Sequence, residues 1–190
     1  MDSIENAKQK IRAIIAGSKV AEDPRHAENT LGWLLKLDPK AGQALQISAL
    51  GHDIDRADET RKVRRADYDD YDEFKAAHAR SGAKILRSIL GRCGVARPIA
   101  DEVCRLVTLH EFGGDSRSDL LRDADCISFF EVNMPLYYQR EGREETMRRC
   151  IWGYGRLSGR LKKIAKKITY EDETLTRLLK KAIQQACLKD

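Results

Sequence analysis

Apolar residues recur every three or four positions along almost the whole chain, and no stretch alternates for long enough to make a strand. That period confines the chain to packed helices, so the expected fold is an all-α, compact multi-helix bundle. Ile4, Ala7, Ile11, Ile14 and Ile15 form one stripe, and Ala27, Leu31, Leu34 and Leu35 a second. Phe74, Ile85 and Ile89 form a third, and Ile99, Val103, Leu106 and Val107 a fourth. Asp23-Pro24 reads as an N-cap followed by a first-turn proline, and Asp38-Pro39 as the same device opening the next helix. A further helix is expected over 118–137, and two or three more over 144–189. The segment 55–72 is different: dense in both signs of charge and poor in core candidates, it reads as a loop or irregular helix and as the expected lid.

A chain of 190 residues with 42% hydrophobic and 34% charged side chains fits one globular domain spanning 1–190, and excludes disordered and fibrous classes. A net charge of +5 is too small to argue for nucleic acid, but it suits a phosphate-bearing ligand. The five cysteines contain no CxxC pair, so they read as reduced, mostly buried thiols and not as a disulfide framework or thiolate zinc site. No apolar run approaches a membrane span and the opening residues are polar, so no membrane partner and a cytoplasmic location are expected.

Chemistry gathers on the four histidines. His52 continues the Leu45–Ala49 stripe and is followed by Asp53; His78 sits four residues after Phe74; His110 follows Val103, Leu106 and Val107 at helical spacing. His26 lies in the first turn of its helix, at the edge of an apolar face. Asp125 falls between Leu121 and Phe129 on an apolar stripe, where a lone carboxylate would be costly without a cation. Asp123 is a nearby alternative that helical phase disfavours. Singly, each histidine could be an ordinary hydrogen-bonded core residue. Together they send imidazoles and carboxylates from five helices toward one interior, a donor set suited to iron, manganese, zinc, nickel or cobalt, with magnesium as a further option. Six donors exceed the needs of one catalytic zinc and suit two divalent ions sharing a carboxylate.

The order His26, His52-Asp53, His78, His110, Asp125 resembles the HD-domain metal-dependent phosphohydrolase superfamily, in its binuclear branch. The likeness covers about 20–135, with 1–19 and 140–190 as flanking helices. It rests on Arg-His-Ala-Glu-Asn-Thr, Ala-Leu-Gly-His-Asp and Leu-Arg-Asp-Ala-Asp-Cys-Ile-Ser. The resemblance implies that His26, His52, Asp53 and Asp125 bind one metal and that Asp53 bridges to a second held by His78 and His110. It further implies hydrolysis of a phosphoester or phosphoanhydride, in a nucleotide or similar small phosphorylated metabolite, by a metal-activated hydroxide, with His52 and Asp53 at the reacting centre. Arg56, Arg61, Lys62, Arg64 and Arg65 follow the metal pair and are expected to grip substrate phosphates, Arg56, Lys62 and Arg65 foremost; Arg80 is a further candidate. The segment after His110 lacks the Gly-Tyr-Pro signature of HD-GYP cyclic-di-GMP phosphodiesterases, and Ile54-Asp55-Arg56 lacks the paired acidic residues of alarmone hydrolases. Ligand spacing is similar to that of bacterial HD hydrolases of symmetrical dinucleoside tetraphosphates, although Asp55-Arg56 replaces the small residue and lysine expected there. Two other classes share the ligand pattern: an HD-type di-iron oxygenase, and a non-catalytic nucleotide-binding sensor.

Overall fold

Ile4, Ala7, Ile11 and Ile15 bury along one face of α1 (Ser3–Ala16) in the computed structural model, which describes residues 2–188. In α2 (Asp23–Leu37), Trp33 and Leu34 complete the core face, while Leu35 lies 36% exposed. The next helix, α3 (Gln43–Gly51), is apolar or small apart from Gln43 and Gln46, as suits a central helix, with Ile47, Ala49 and Leu50 inaccessible to solvent. It packs between α1, α2 and α5 (Arg97–Leu109), and α4 (Tyr71–Arg92) lies along α5. Gly51 and Gly82 permit the close approach of α4 to the C-terminal end of α3. A Cβ on Gly51 would stand 2.7 Å from Leu86 Cδ2, and one on Gly82 3.0 Å from the His52 carbonyl oxygen.

The described residues are helical with no strand, and none of their helices is long and apolar enough to cross a membrane. Between α3 and α4 the charged segment forms two 3-10 turns, Ile54–Ala57 and Arg65–Asp67, joined by loop.

Two capping expectations are corrected. Glu22 is the N-cap of α2; Asp23 already lies inside the helix, where its carboxylate accepts from Ser18 Oγ at 2.6 Å and pairs with Arg56. Asp38 closes α2 from the C-terminal side, and α3 opens on Gly42, not at Pro39. The helix expected over 118–137 is also more elaborate. It begins as α6 (Ser116–Ser128), passes through a π turn at Phe129–Asn133, and continues as α7 (Met134–Arg156). Gly142 interrupts α7 at φ 79°, ψ −179°, a conformation confined almost to glycine, and redirects its second half. The chain ends in α8 (Gly159–Ala165) and α9 (Glu173–Cys187), with α9 packed on α7.

Candidate metal centre

Each of the four histidines is at or near a helix terminus or on a buried face: His26 early in α2, His52 capping α3, His78 within α4 and His110 capping α5. All four are at least 96% buried, His78 being the most open at 4%. In every ring Nδ1 is engaged by the protein. His52 Nδ1 donates to the Ala49 carbonyl at 3.0 Å and His110 Nδ1 to the Val107 carbonyl at 2.6 Å, bonds that arise because both rings follow the last turn of a helix. His26 Nδ1 donates to Ser128 Oγ at 2.9 Å, and that hydroxyl donates onward to the His26 carbonyl at 3.3 Å. His78 Nδ1 lies 2.7 Å from Asp55 Oδ1. The hydrogen bonds fix the tautomers of His26, His52 and His110, the contact with Asp55 orients His78, and four Nε2 atoms turn inward.

They converge with the carboxylates. His26 Nε2 is 3.1 Å from His52 Nε2 and 3.2 Å from Asp125 Oδ1; His52 Nε2 is 3.5 Å from that oxygen; both nitrogens are 3.7 Å from Asp53 Oδ2. Donors held ~2.1 Å from one cation at tetrahedral or octahedral angles lie about 3.0 to 3.4 Å apart, so His26, His52 and Asp125 come close to the spacing of a single ion, with Asp53 Oδ2 a little further out. Two imidazole lone pairs 3.1 Å apart repel unless a cation lies between them. The other oxygen of Asp53 faces the second group: Oδ1 is 2.9 Å from His78 Nε2, and Asp53, His78 and His110 place one donor atom each within 4.8 Å of one another. His110 Nε2 is buried and makes no hydrogen bond, as a lone pair reserved for a metal would be. Asp53 therefore spans both groups. Asp125, not Asp123, joins the cluster; Asp123 instead accepts from the Ser158 backbone N–H at 3.0 Å, at the start of α8.

The charge balance runs in the same direction. Burial disfavours a charged His52, yet Asp53 and Asp125 push its pKa up to about 9. Burial likewise opposes charge on His78, but Asp55 and Asp53 push it up to about 10. Burial resists ionisation of Asp53 and Asp125, while the histidines, with Arg56 beside Asp53, hold both well below the ordinary carboxylate range. Such a site binds cations strongly, whether protons or metal ions.

Several partners were not legible as site residues in the sequence. Asp55 is fully buried against His78. Glu111, 1% exposed, lies 3.3 Å from His110 Nε2 and 3.9 Å from His78 Nε2, and is neutralised by Lys75 and by Arg156 Nη1 at 3.0 Å. It can serve as a further ligand, since His110, Glu111 and Asp125 also form a group with metal-binding spacing. Arg156 and Arg149 come from α7, outside the segment 20–135.

A cavity of about 740 Å³ opens over the cluster, walled by Asp53, His78 and Asp125 at its base and by Phe74, Phe129 and Tyr137 at its sides. The expected phosphate-binding residues are placed as follows. Arg56 lines the cavity, but its guanidinium is engaged, with Nη1 2.7 Å from Asp53 Oδ2 and Nη2 2.8 Å from Asp23 Oδ1, so here it fixes the bridging carboxylate. Lys62 lines the wall with Nζ 3.7 Å from Glu59. Arg65 also lines it, though its guanidinium donates to the loop's own Tyr68 carbonyl and lies over the Tyr71 ring. Arg64 lines the cavity from the exposed loop. Arg61 pairs with Asp58 at 2.8 Å, and neither it nor the exposed Arg80 reaches the cavity.

Comparison with known proteins gives one family. Residues 2–178 match a family described as a domain of unknown function, DUF4202. No curated protein and no solved structure gives a significant match. The match runs over nearly the whole chain, so the chain belongs to the DUF4202 family.

Proposed function

We propose that this DUF4202 chain is a metal-dependent phosphohydrolase of the HD type, with a binuclear centre acting on a small phosphorylated metabolite or nucleotide. One observation carries the reading: four imidazoles have Nδ1 tied to protein acceptors while their Nε2 atoms converge on the two oxygens of Asp53. His26, His52, Asp125 and Asp53 Oδ2 would hold one divalent ion, and His78, His110 and Asp53 Oδ1 the other. Bound there, two such ions would supply an activated water for attack at phosphorus and offset charge on the phosphoryl oxygens and leaving group.

The chain's own residues do the rest. Arg56, anchored on Asp23, holds Asp53 in the orientation that lets each oxygen face its own imidazoles. Asp55 and the helix-end carbonyls fix the ring orientations. Phe74, Phe129 and Tyr137 give the cavity apolar walls beside charged groups, the mixture expected where an organic phosphate binds.

The test is phosphate release from a panel of nucleotides and small phosphorylated metabolites by protein purified without chelator, run with an oxygen electrode. Metal-dependent phosphate release without oxygen uptake is expected. Oxygen uptake without phosphate release would replace the reading with the di-iron oxygenase, and tight nucleotide binding with neither would replace it with the sensor.

A further inference from the structure

Arg149 is the one buried cation on the cavity wall that forms no ion pair among the described residues. The other cations on the wall are compensated or exposed: Arg56 pairs with Asp23 and Asp53, Lys62 with Glu59, Lys75 with Glu111, and Arg140 with Glu22 and Glu141, while Arg64 and Arg65 are exposed. Arg149 is 8% exposed and makes no hydrogen bond or ion pair, and its Nη1 is inaccessible and unsatisfied. A guanidinium so placed costs free energy unless an anion completes the site.

The surroundings hold it in position without a direct ion pair; Asp125 and Glu111 favour its charge only through space. Its guanidinium carbon lies 4.3 Å from the centre of the Phe129 ring and 4.7 Å from that of Trp152. Gly153, one turn further along α7, makes room for it, since a Cβ there would stand 3.1 Å from Nη1. The π turn supplies Phe129, and the break at Gly142 sets the direction of the helical segment bearing Arg149, so both irregular backbone features of this region bear on its placement. Arg149 also stands on the wall shared by the cavity above the metal centre and a neighbouring cavity of about 640 Å³ lined by Tyr71, Ile151 and Trp152. A group bound by Arg149 would thus sit beside the reacting phosphate and lead toward the second cavity.

We propose that Arg149 is the receptor for a second anionic group of the substrate, phosphoryl or carboxylate, distinct from the phosphoryl group at the metal centre. This rests on the phosphohydrolase reading and narrows its substrate class to small molecules bearing two anionic groups. The fork of guanidinium donors suits either oxyanion.

The experiment measures equilibrium binding to the metal-loaded protein by calorimetry with non-hydrolysable probes. Methylphosphonate carries one anionic group; methylenediphosphonate and ethane-1,2-diphosphonate carry a second phosphoryl; phosphonoacetate and 3-phosphonopropionate carry a second carboxylate. The wild type should prefer at least one two-anion probe over methylphosphonate by roughly 10- to 100-fold, and Arg149→Met should abolish that preference while leaving methylphosphonate affinity unchanged. Preference for the diphosphonates identifies a phosphoryl partner, and preference for the phosphonocarboxylates a carboxylate. Circular dichroism and metal content verify the fold of each variant. If Arg149→Met does not fold, Arg149→Lys, which keeps the charge but loses the fork, should reduce the preference roughly 3- to 10-fold. No preference in the wild type, or full preference retained in a folded variant, would overturn the proposal. Methylphosphonate binding that persists unchanged after chelation would instead count against the metal-centre reading.

Discussion

Replacing Asp55 by Asn should weaken the His78 half of the centre and spare the other half. Asp55 is 0% exposed, and its one ion-pair contact among the described residues is His78 Nδ1 at 2.7 Å. A hydrogen bond involving a charged group contributes about 1.5–3 kcal/mol, against about 0.5–1.5 for a neutral pair. Asparagine keeps the shape and one acceptor, so the expected loss is about 1–2 kcal/mol, or roughly 5- to 30-fold in affinity for one ion. That range overlaps the roughly 10- to 100-fold typical of removing a group that orients a metal-bound imidazole. Calorimetric titration of chelator-treated protein with Mn²⁺ or Zn²⁺ resolves the two halves. The His26–His52–Asp125 group should keep its affinity in Asp55→Asn while the second binding event weakens. Equal weakening of both events, or of neither, would refute the assignment of Asp55 as the orienting partner of His78.

Chelator-treated protein should lose stability as pH rises. His52 and His78, ordinarily near 6.5 but pushed up to about 9 and about 10, stabilise the fold fully below about pH 6.5 and cease to do so once pH passes those raised values. Thermal melts across that range should show a falling Tm, and metal loading should reduce the slope and release protons, read as a buffer-dependent binding enthalpy. Arg56→Ala should lower kcat/KM about 10- to 100-fold by the same factor on mono- and diphosphorylated substrates and reduce metal retention, because Arg56 is engaged with Asp53; a loss confined to the longer substrate would restore the phosphate-gripping role. Gly142→Ala should destabilise the protein by about 1–3 kcal/mol in urea unfolding, because φ 79° with ψ −179° is costly for a side chain bearing Cβ.

The helical stripes and the inward placement of His52, His78, His110 and Asp125 were legible because burial enforces a period, and a polar residue in phase with an apolar stripe must face inward; the place of Asp53 between the two groups came from the resemblance to the HD pattern. Contacts between distant segments were not. Asp23 looks like a cap beside Pro24, and only folding brings Arg56 within 2.8 Å to claim its carboxylate. Asp55 reads as part of a solvated loop, since nothing local says that a 3-10 turn buries it under His78. Glu111 sits in a helix break, where charge is ordinarily solvated, and its burial depends on Lys75 and Arg156 arriving from other helices. Arg149 lies on a helix with a thin apolar stripe, redirected by a π turn and by Gly142, neither of which leaves a periodic signal.

Metal stoichiometry tests the central claim most directly. Elemental analysis of protein purified without chelator should find close to two divalent transition-metal ions per chain, with one lost in His78→Ala or His110→Ala and both in Asp53→Ala, while circular dichroism shows the helices retained. One ion or fewer in the wild type after reconstitution, or a content unchanged in those three variants, would contradict a binuclear centre bridged by Asp53.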